Sequence, residues 1–177
     1  MRLVAFCVSG FTFLSSVSST QRVAIFRITP EESSITFNVG ASASIQGTFD
    51  TWNANLRFAS PDVTSGVLDV EIQAASIETG RGLKNGKLKG GDFFDVVDNP
   101  SIKSTVEQSG PNSFNVDGNF TIRGVTKPEK LRLLVTGKGT DSGTISATMA
   151  FDRKNYTMNS GIPFIRIADR VEVTVSL

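Results

Sequence analysis

The 177 residues carry 18 basic and 17 acidic side chains, no histidine and a single cysteine, Cys7. A balance this even provides no bulk attraction for nucleic acid or an anionic membrane. The missing imidazoles, and a cysteine count of one, exclude intrachain disulfides, histidine–thiolate metal sites and imidazole general bases. The chain opens with Arg2, an apolar run from Leu3 to Val8 continued by Phe11, Phe13 and Leu14, and the small polar string Ser15 to Thr20. That order reads as a secretory signal peptide over residues 1–20; a spanning helix needs about 20 mostly apolar residues, and the serines arrive too early. Its removal takes away Cys7 and Arg2 and leaves basic and acidic residues equal at 17. Residues 21–177 then suit one domain, and an exported chain without disulfides is compatible with a bacterial periplasm.

The remainder is organised by strict alternation. After Val23–Thr29, every odd position from Ile35 to Phe49 is apolar or glycine, with Phe37, Val39 and Ile45 among them, while the even positions run Thr36, Asn38, Gly40, Ser42, Ser44, Gln46, Thr48. Successive side chains of an extended chain point to opposite faces, so this stretch is one long strand, or two joined by a bend between Gly40 and Ser44. The pattern recurs in Asn53–Phe58, Val67–Ala75 (Leu68, Val70 and Ile72 on one face), Ile102–Gln108, Phe114–Ile122 (Phe120 and Ile122), Leu131–Val135, Ile145–Phe151 and Val171–Leu177. Turn-forming residues at 60–62, 109–112 and 137–143 separate the strands. About eight strands of this kind predict a closed antiparallel barrel whose interior is filled by side chains or by one ligand.

One segment breaks the rhythm. Gly80–Asn99 spaces Leu83 and Leu88 loosely as in a helix and ends in Asp92-Phe93-Phe94-Asp95-Val96-Val97; it is either a lid with an aromatic plug over a barrel mouth or a plain cap on the core. Asp92, Asp95 and Asp98 lack the alternating ligands and closing glutamate of a calcium loop and read as capping or solvated residues. Glu31 and Glu32 read as a strand start rather than an acid–base pair. Asp152-Arg153-Lys154 forms either an internal salt bridge or, through the arginine fork, a grip on an anionic headgroup. Lys84, Lys87 and Lys89 form a basic cluster beside the lid, a solvated face or a contact for the polar end of a ligand.

Taken together, Ser34-Ile-Thr-Phe37, Ala75-Ser-Ile-Glu-Thr-Gly80, Asp92-Phe-Phe-Asp-Val96 with Asn99-Pro100, Phe120-Thr-Ile-Arg-Gly-Val-Thr-Lys-Pro128 and Asp152-Arg153 resemble the YceI-like polyisoprenoid-binding family. The resemblance implies an all-β domain: a single, extended, lipocalin-like barrel of eight antiparallel strands with one short helical lid. It also implies a periplasmic or secreted location and a long isoprenoid of the polyprenyl phosphate or quinone type held in the pore. Members of that family commonly carry an Arg-Asp and a His-Leu pair before the Asp-Phe-Phe string, where this chain has Lys84-Asn85-Gly86-Lys87-Leu88. A headgroup contact or metal role resting on that histidine therefore does not transfer.

The function expected is carriage or sequestration of an isoprenoid lipid, without catalytic residues, metal or cofactor other than the bound lipid. The expected pore lining is Phe37, Val39, Ile45, Phe49, Leu68, Val70, Ile72, Phe120 and Ile122, with Phe93 and Phe94 near a mouth and Lys84, Lys87 and Arg153 as headgroup contacts. Stable membrane insertion is not expected, because the aromatic girdles of outer-membrane barrels cannot be built from one Trp and one Tyr. A homodimer is compatible with the sequence. The competing readings are a lipid-modifying enzyme, for which neither a Gly-x-Ser-x-Gly elbow nor a histidine is present, and a ligand-free barrel with a stress or scaffold role.

Overall fold

A computed structural model describes residues 25–27, 33–42, 44–58, 66–107, 115–136, 144–159 and 166–177. The expectations for residues 1–20, for Glu31 and Glu32, and for the turns at 60–62, 109–112 and 137–143 lie outside them. The alternating runs become strands β1 (Ile25–Arg27), β2 (Ser34–Ala41), β3 (Ile45–Phe49), β4 (Trp52–Phe58), β5 (Gly66–Gln73), β6 (Ile77–Glu78), β7 (Ser101–Glu107), β8 (Asn115–Ile122), β9 (Val125–Thr136), β10 (Thr144–Asp152) and β11 (Ile167–Ser176). One helix, α1 (Gly82–Lys89), lies between β6 and β7. The expected count of eight is thus corrected: the described strands number eleven, or ten without the two-residue β6. The run Ile35–Phe49 divides into β2 and β3, and β6 is too short to show a period.

All pairings are antiparallel, in the order β1-β4-β5-β7-β8-β9-β10-β11-β2-β3-β6. Among the described residues no ladder joins β1 to β6, so the barrel is a curled sheet rather than a tube closed by hydrogen bonds. Its margins are nevertheless drawn together. Asp50 and Thr51 carry the chain from β3, near one margin, straight into β4, near the other. There the Asp50 N–H donates to Ser76 O (3.3 Å) and the Gln73 N–H to Thr51 O (2.9 Å), while Phe49 stands opposite Ile77.

Alternation sets which side chains turn inward. In β2, Ile35, Phe37 and Val39 are buried; in β8, Val116, Gly118, Phe120 and Ile122 are. Pro128 sits inside β9 opposite Asn119 of β8, an unusual place for a residue without an N–H. It is tolerated because β10 pairs with β9 only as far as Leu131. Past that point the chain from β10 folds into a 3-10 turn, Arg153–Tyr156, and the Tyr156 hydroxyl donates to Glu129 (2.9 Å).

Ile77, 1% exposed, packs at the place where the margins meet, outside the cavity described below. Ile77→Ala is expected to lower the unfolding free energy by about 2–5 kcal/mol in urea titration; a loss under about 1 kcal/mol would show that this junction does not hold the sheet curled.

Candidate functional site

The inward faces surround a cavity of about 110 Å³. The nine side chains expected to line a pore, Phe37, Val39, Ile45, Phe49, Leu68, Val70, Ile72, Phe120 and Ile122, all line it, and so do Phe93 and Phe94, expected near a mouth. Ile35, Leu88, Ile102, Val106, Leu131, Ala147, Met149, Phe151, Met158, Ile167, Val171, Val173 and Val175 complete the apolar wall, and Ser104 and Arg153 are its polar members. Most of these additions lie on runs whose alternation was already visible, Ser104 included, between Ile102 and Val106. Met158, in the loop after the 3-10 turn, had no periodic signal.

Three rings lead from the wall to the covering segment. Phe37 and Phe49 have centroids 5.6 Å apart, and Phe49 meets Phe94 edge-on at 5.7 Å. Edge-to-face contacts of this kind add roughly 0.5–1.5 kcal/mol to the burial of the rings. The covering segment is α1 and the turns that follow it. Leu88 and Phe93 face the core, whereas Leu83 is 94% exposed. Its anchor is Asn85, which the sequence did not single out: Asn85 Oδ1 accepts from the Thr79 N–H (2.9 Å) and hydroxyl (2.6 Å). The Asn85 side chain and the Gly80 N–H both bond the Glu78 carboxyl, which holds that group below its ordinary range.

Arg123 holds the far end of the segment. It forms with Gly124 the two-residue turn of the β8–β9 hairpin, both at positive φ (51° and 70°), the backbone twist that such turns require. From there the guanidinium donates to Thr157 O (2.7 Å) and to Gly91 O, tying the loop after β10 and the turn after α1 to one hairpin.

The expected headgroup contacts separate. Lys84 and Lys87 do not line the cavity: Lys84 Nζ reaches Ser44 O (3.4 Å) and Lys87 pairs with Asp92. Adjacency to the lid in sequence did not set their direction, because the short helix turns Asn85 and Leu88 to the core. Arg153 does line it, at 6% exposure. Its Nε donates to Ala168 O (3.1 Å), Nη1 to Met158 O and Nη2 to Asp169 Oδ1 (3.2 Å). Asp169 also pairs with Lys154 (2.7 Å). The Lys154 hydrogen bond, with the charges of Lys154 and Arg153, holds the Asp169 carboxyl below the usual carboxylate range. Asp92, Asp95 and Asp98 lie in the turns beyond α1. Among the described residues no group of three His, Cys, Asp or Glu side chains is placed to hold a metal ion, and no helix is long and apolar enough to cross a membrane.

Geometry and topology define a curled antiparallel barrel around an apolar cavity, capped by a short helical segment. The family model for the YceI-like domain matches residues 26–177, and the chain belongs to that family. A UPF0312 protein of Pseudomonas syringae pv. syringae is 30% identical over 100 residues, 55% of this chain and 52% of that one; the match thus spans about half the length of such curated relatives. A UPF0312 protein of Shewanella sp. (strain MR-7) is 24% identical over 88% of this chain and 86% of its own. Among solved structures, Burkholderia cenocepacia BcnA superposes with a TM-score of 0.74 at 19% identity, over 84% of this chain and 97% of that one. A polyisoprenoid binding domain from Saccharophagus degradans superposes with a TM-score of 0.64 at 15% identity, over 88% and 97%. At these identities the superpositions establish the fold.

Replacing Arg123 by Ala removes two charge-assisted hydrogen bonds, worth about 1.5–3 kcal/mol each. Amides 91–96 are expected to exchange hydrogen at least about tenfold faster in Arg123→Ala while those of β8 to β10 hold their rates; unchanged exchange at 91–96 would show that Arg123 is not the tether.

Tyr156 is fully buried, and its burial, with the Glu129 carboxylate beside it, raises the phenol well above its ordinary value. The unfolded phenol titrates near pH 10, so its contribution to stability is complete below that pH and declines as pH rises toward the higher folded value. Tyr156→Phe should lose about 1 kcal/mol at neutral pH and show a shallower loss of stability above pH 10 than the parent. Equal slopes in urea titrations across pH 9–11.5 would contradict the assignment.

Proposed function

We propose that the chain is a non-enzymatic binding protein that holds a long-chain isoprenoid lipid, of the polyprenyl phosphate or quinone type, in its apolar lumen for carriage or sequestration after export to the periplasm. The observation that carries the reading is the wall itself: among the described residues its side chains are apolar except for Ser104 and Arg153. A wall of this composition favours hydrocarbon over any polar substrate. Burying each methylene gains about 0.8 kcal/mol, so a prenyl unit contributes roughly 3 kcal/mol before ordering costs, and a few units suffice for tight binding without a charged anchor. The Saccharophagus domain of the same fold, described as polyisoprenoid binding, supports the ligand class. Arg153, with Asp169 as partner, is the polar group best placed to meet a headgroup from within the wall.

At about 110 Å³ the cavity is close in size to engineered apolar cavities that stay dry and admit one benzene. A long chain therefore enters by widening the lumen, which calls for movement of the lining side chains and of the segment Arg123 ties down.

The test is saturable uptake of an added polyprenyl alcohol, followed by displacement of a fluorescent apolar probe, in the parent protein and in Phe37→Lys. The parent is expected to load and the variant, still folded by circular dichroism, to lose loading by at least about 100-fold, since an unpaired charge in an apolar pore costs several kcal/mol. Failure of the parent to take up any polyprenyl compound would sink the reading.

A further inference from the structure

Two inward positions of the wall carry no side chain, and in both a phenylalanine ring stands where a Cβ would go. At Gly118 of β8 a Cβ would lie 2.9 Å from Phe120 Cε2, 2.9 Å from Val106 Cγ2 and 3.1 Å from Leu131 Cδ1. All three of those residues line the cavity. At Gly47 of β3 it would lie 2.6 Å from Phe37 Cζ and 2.5 Å from Glu78 O. Strands β8 and β3 stand five places apart in the order of the sheet, so the two glycines belong to separate parts of the wall. Neither glycine has a positive φ; what each supplies is space. A glycine inside a strand weakens it and marks a close approach, and here the approach is of lumen side chains to the backbone.

We propose that Gly118 sets the bore of the lumen where Phe120, Val106 and Leu131 line it, and that this bore is what admits a methyl-branched isoprenoid chain in addition to a straight alkyl chain. The inference rests on the lipid-binding reading and adds the residues that select the chain. Contacts under 3.0 Å are not kept by real side chains, so a Cβ at 118 must displace Phe120, Val106 and Leu131 by several tenths of an ångström. Behind them are their own strands, β7, β8 and β9; the free volume is in the lumen. A straight chain is a smooth cylinder and tolerates the narrowing, whereas a prenyl chain carries a methyl on every unit and meets the displaced side chains with its branches. One methyl group misfitted in an apolar pocket discriminates by about 10- to 200-fold. Gly118 is the better probe of the two because a Cβ at Gly47 would also strike the backbone carbonyl of Glu78.

The experiment measures binding of geranylgeraniol and of hexadecanol, by displacement of the same apolar probe, to the full chain, to Gly118→Ala and to Gly118→Ala/Phe120→Leu, with folding followed by thermal unfolding. Gly118→Ala is expected to weaken geranylgeraniol by at least about 10-fold and hexadecanol by less than about 3-fold, and the double variant to regain the branched ligand. Equal weakening of both ligands, or an unchanged preference, overturns the proposal. Should Gly118→Ala fail to fold, Phe120→Leu alone, which widens the lumen and leaves the glycine in place, must shift preference toward geranylgeraniol by at least about 3-fold; no shift overturns it. A parent protein that binds neither alcohol refutes lipid binding itself, a result distinct from loss of chain selectivity.

Discussion

Burial of the inward apolar faces governs the rest of this molecule. Strands such as β2, β8 and β10 turn their apolar side chains to one side, and a half-apolar sheet of this length has to cover that side or aggregate. No second sheet and no long helix is present among the described residues to cover it. The sheet therefore curls until its inward faces look at one another, and Asp50 and Thr51 bring its margins together by passing directly from β3 to β4. Since the walls are a strand backbone with rings folded against it, the faces meet around a lumen instead of filling it.

The polar groups are arranged so as not to spoil that lumen. Arg153, the one charged member of the wall among the described residues, has its guanidinium turned to the carbonyls of Ala168 and Met158 and to Asp169. An unpaired charge in the same place would cost several kcal/mol. Arg123 uses its charge at the outer surface, where it joins the β8–β9 turn, the loop after β10 and the turn after α1. The same hydrogen bonds that complete the cap thus restrain the segment through which Phe93 and Phe94 reach the cavity, linking stability of the cap to access.

Much of this is legible in the sequence because period two is a direct readout of side-chain direction. Alternation alone places Phe37, Val39, Ile45, Phe49, Leu68, Val70, Ile72, Phe120 and Ile122 on the inner face, and they line the cavity. Alternation says nothing about where a run breaks. Ile35–Phe49 continues its pattern through Ser42 and Ser44 although the chain turns there, and β6 is two residues long, so alternation undercounts the strands. Nor does it give the direction of side chains on irregular or helical segments. Lys84 and Lys87 turn away from the cavity because the Asn85–Thr79 hydrogen bonds set the rotation of α1, and that anchor has no linear signature. Met158 reaches the wall through a 3-10 turn and a residue at positive φ, Thr157, which are likewise invisible to periodicity.

The proposal that this lumen holds a chain-like lipid is tested most directly by mass spectrometry of an organic extract of the protein isolated from its native host without detergent. A near-stoichiometric isoprenoid lipid is expected in the extract, absent from an extract of the Phe37→Lys variant prepared in the same way. A folded parent protein that yields no lipid, or the same trace lipids as the variant, would contradict it.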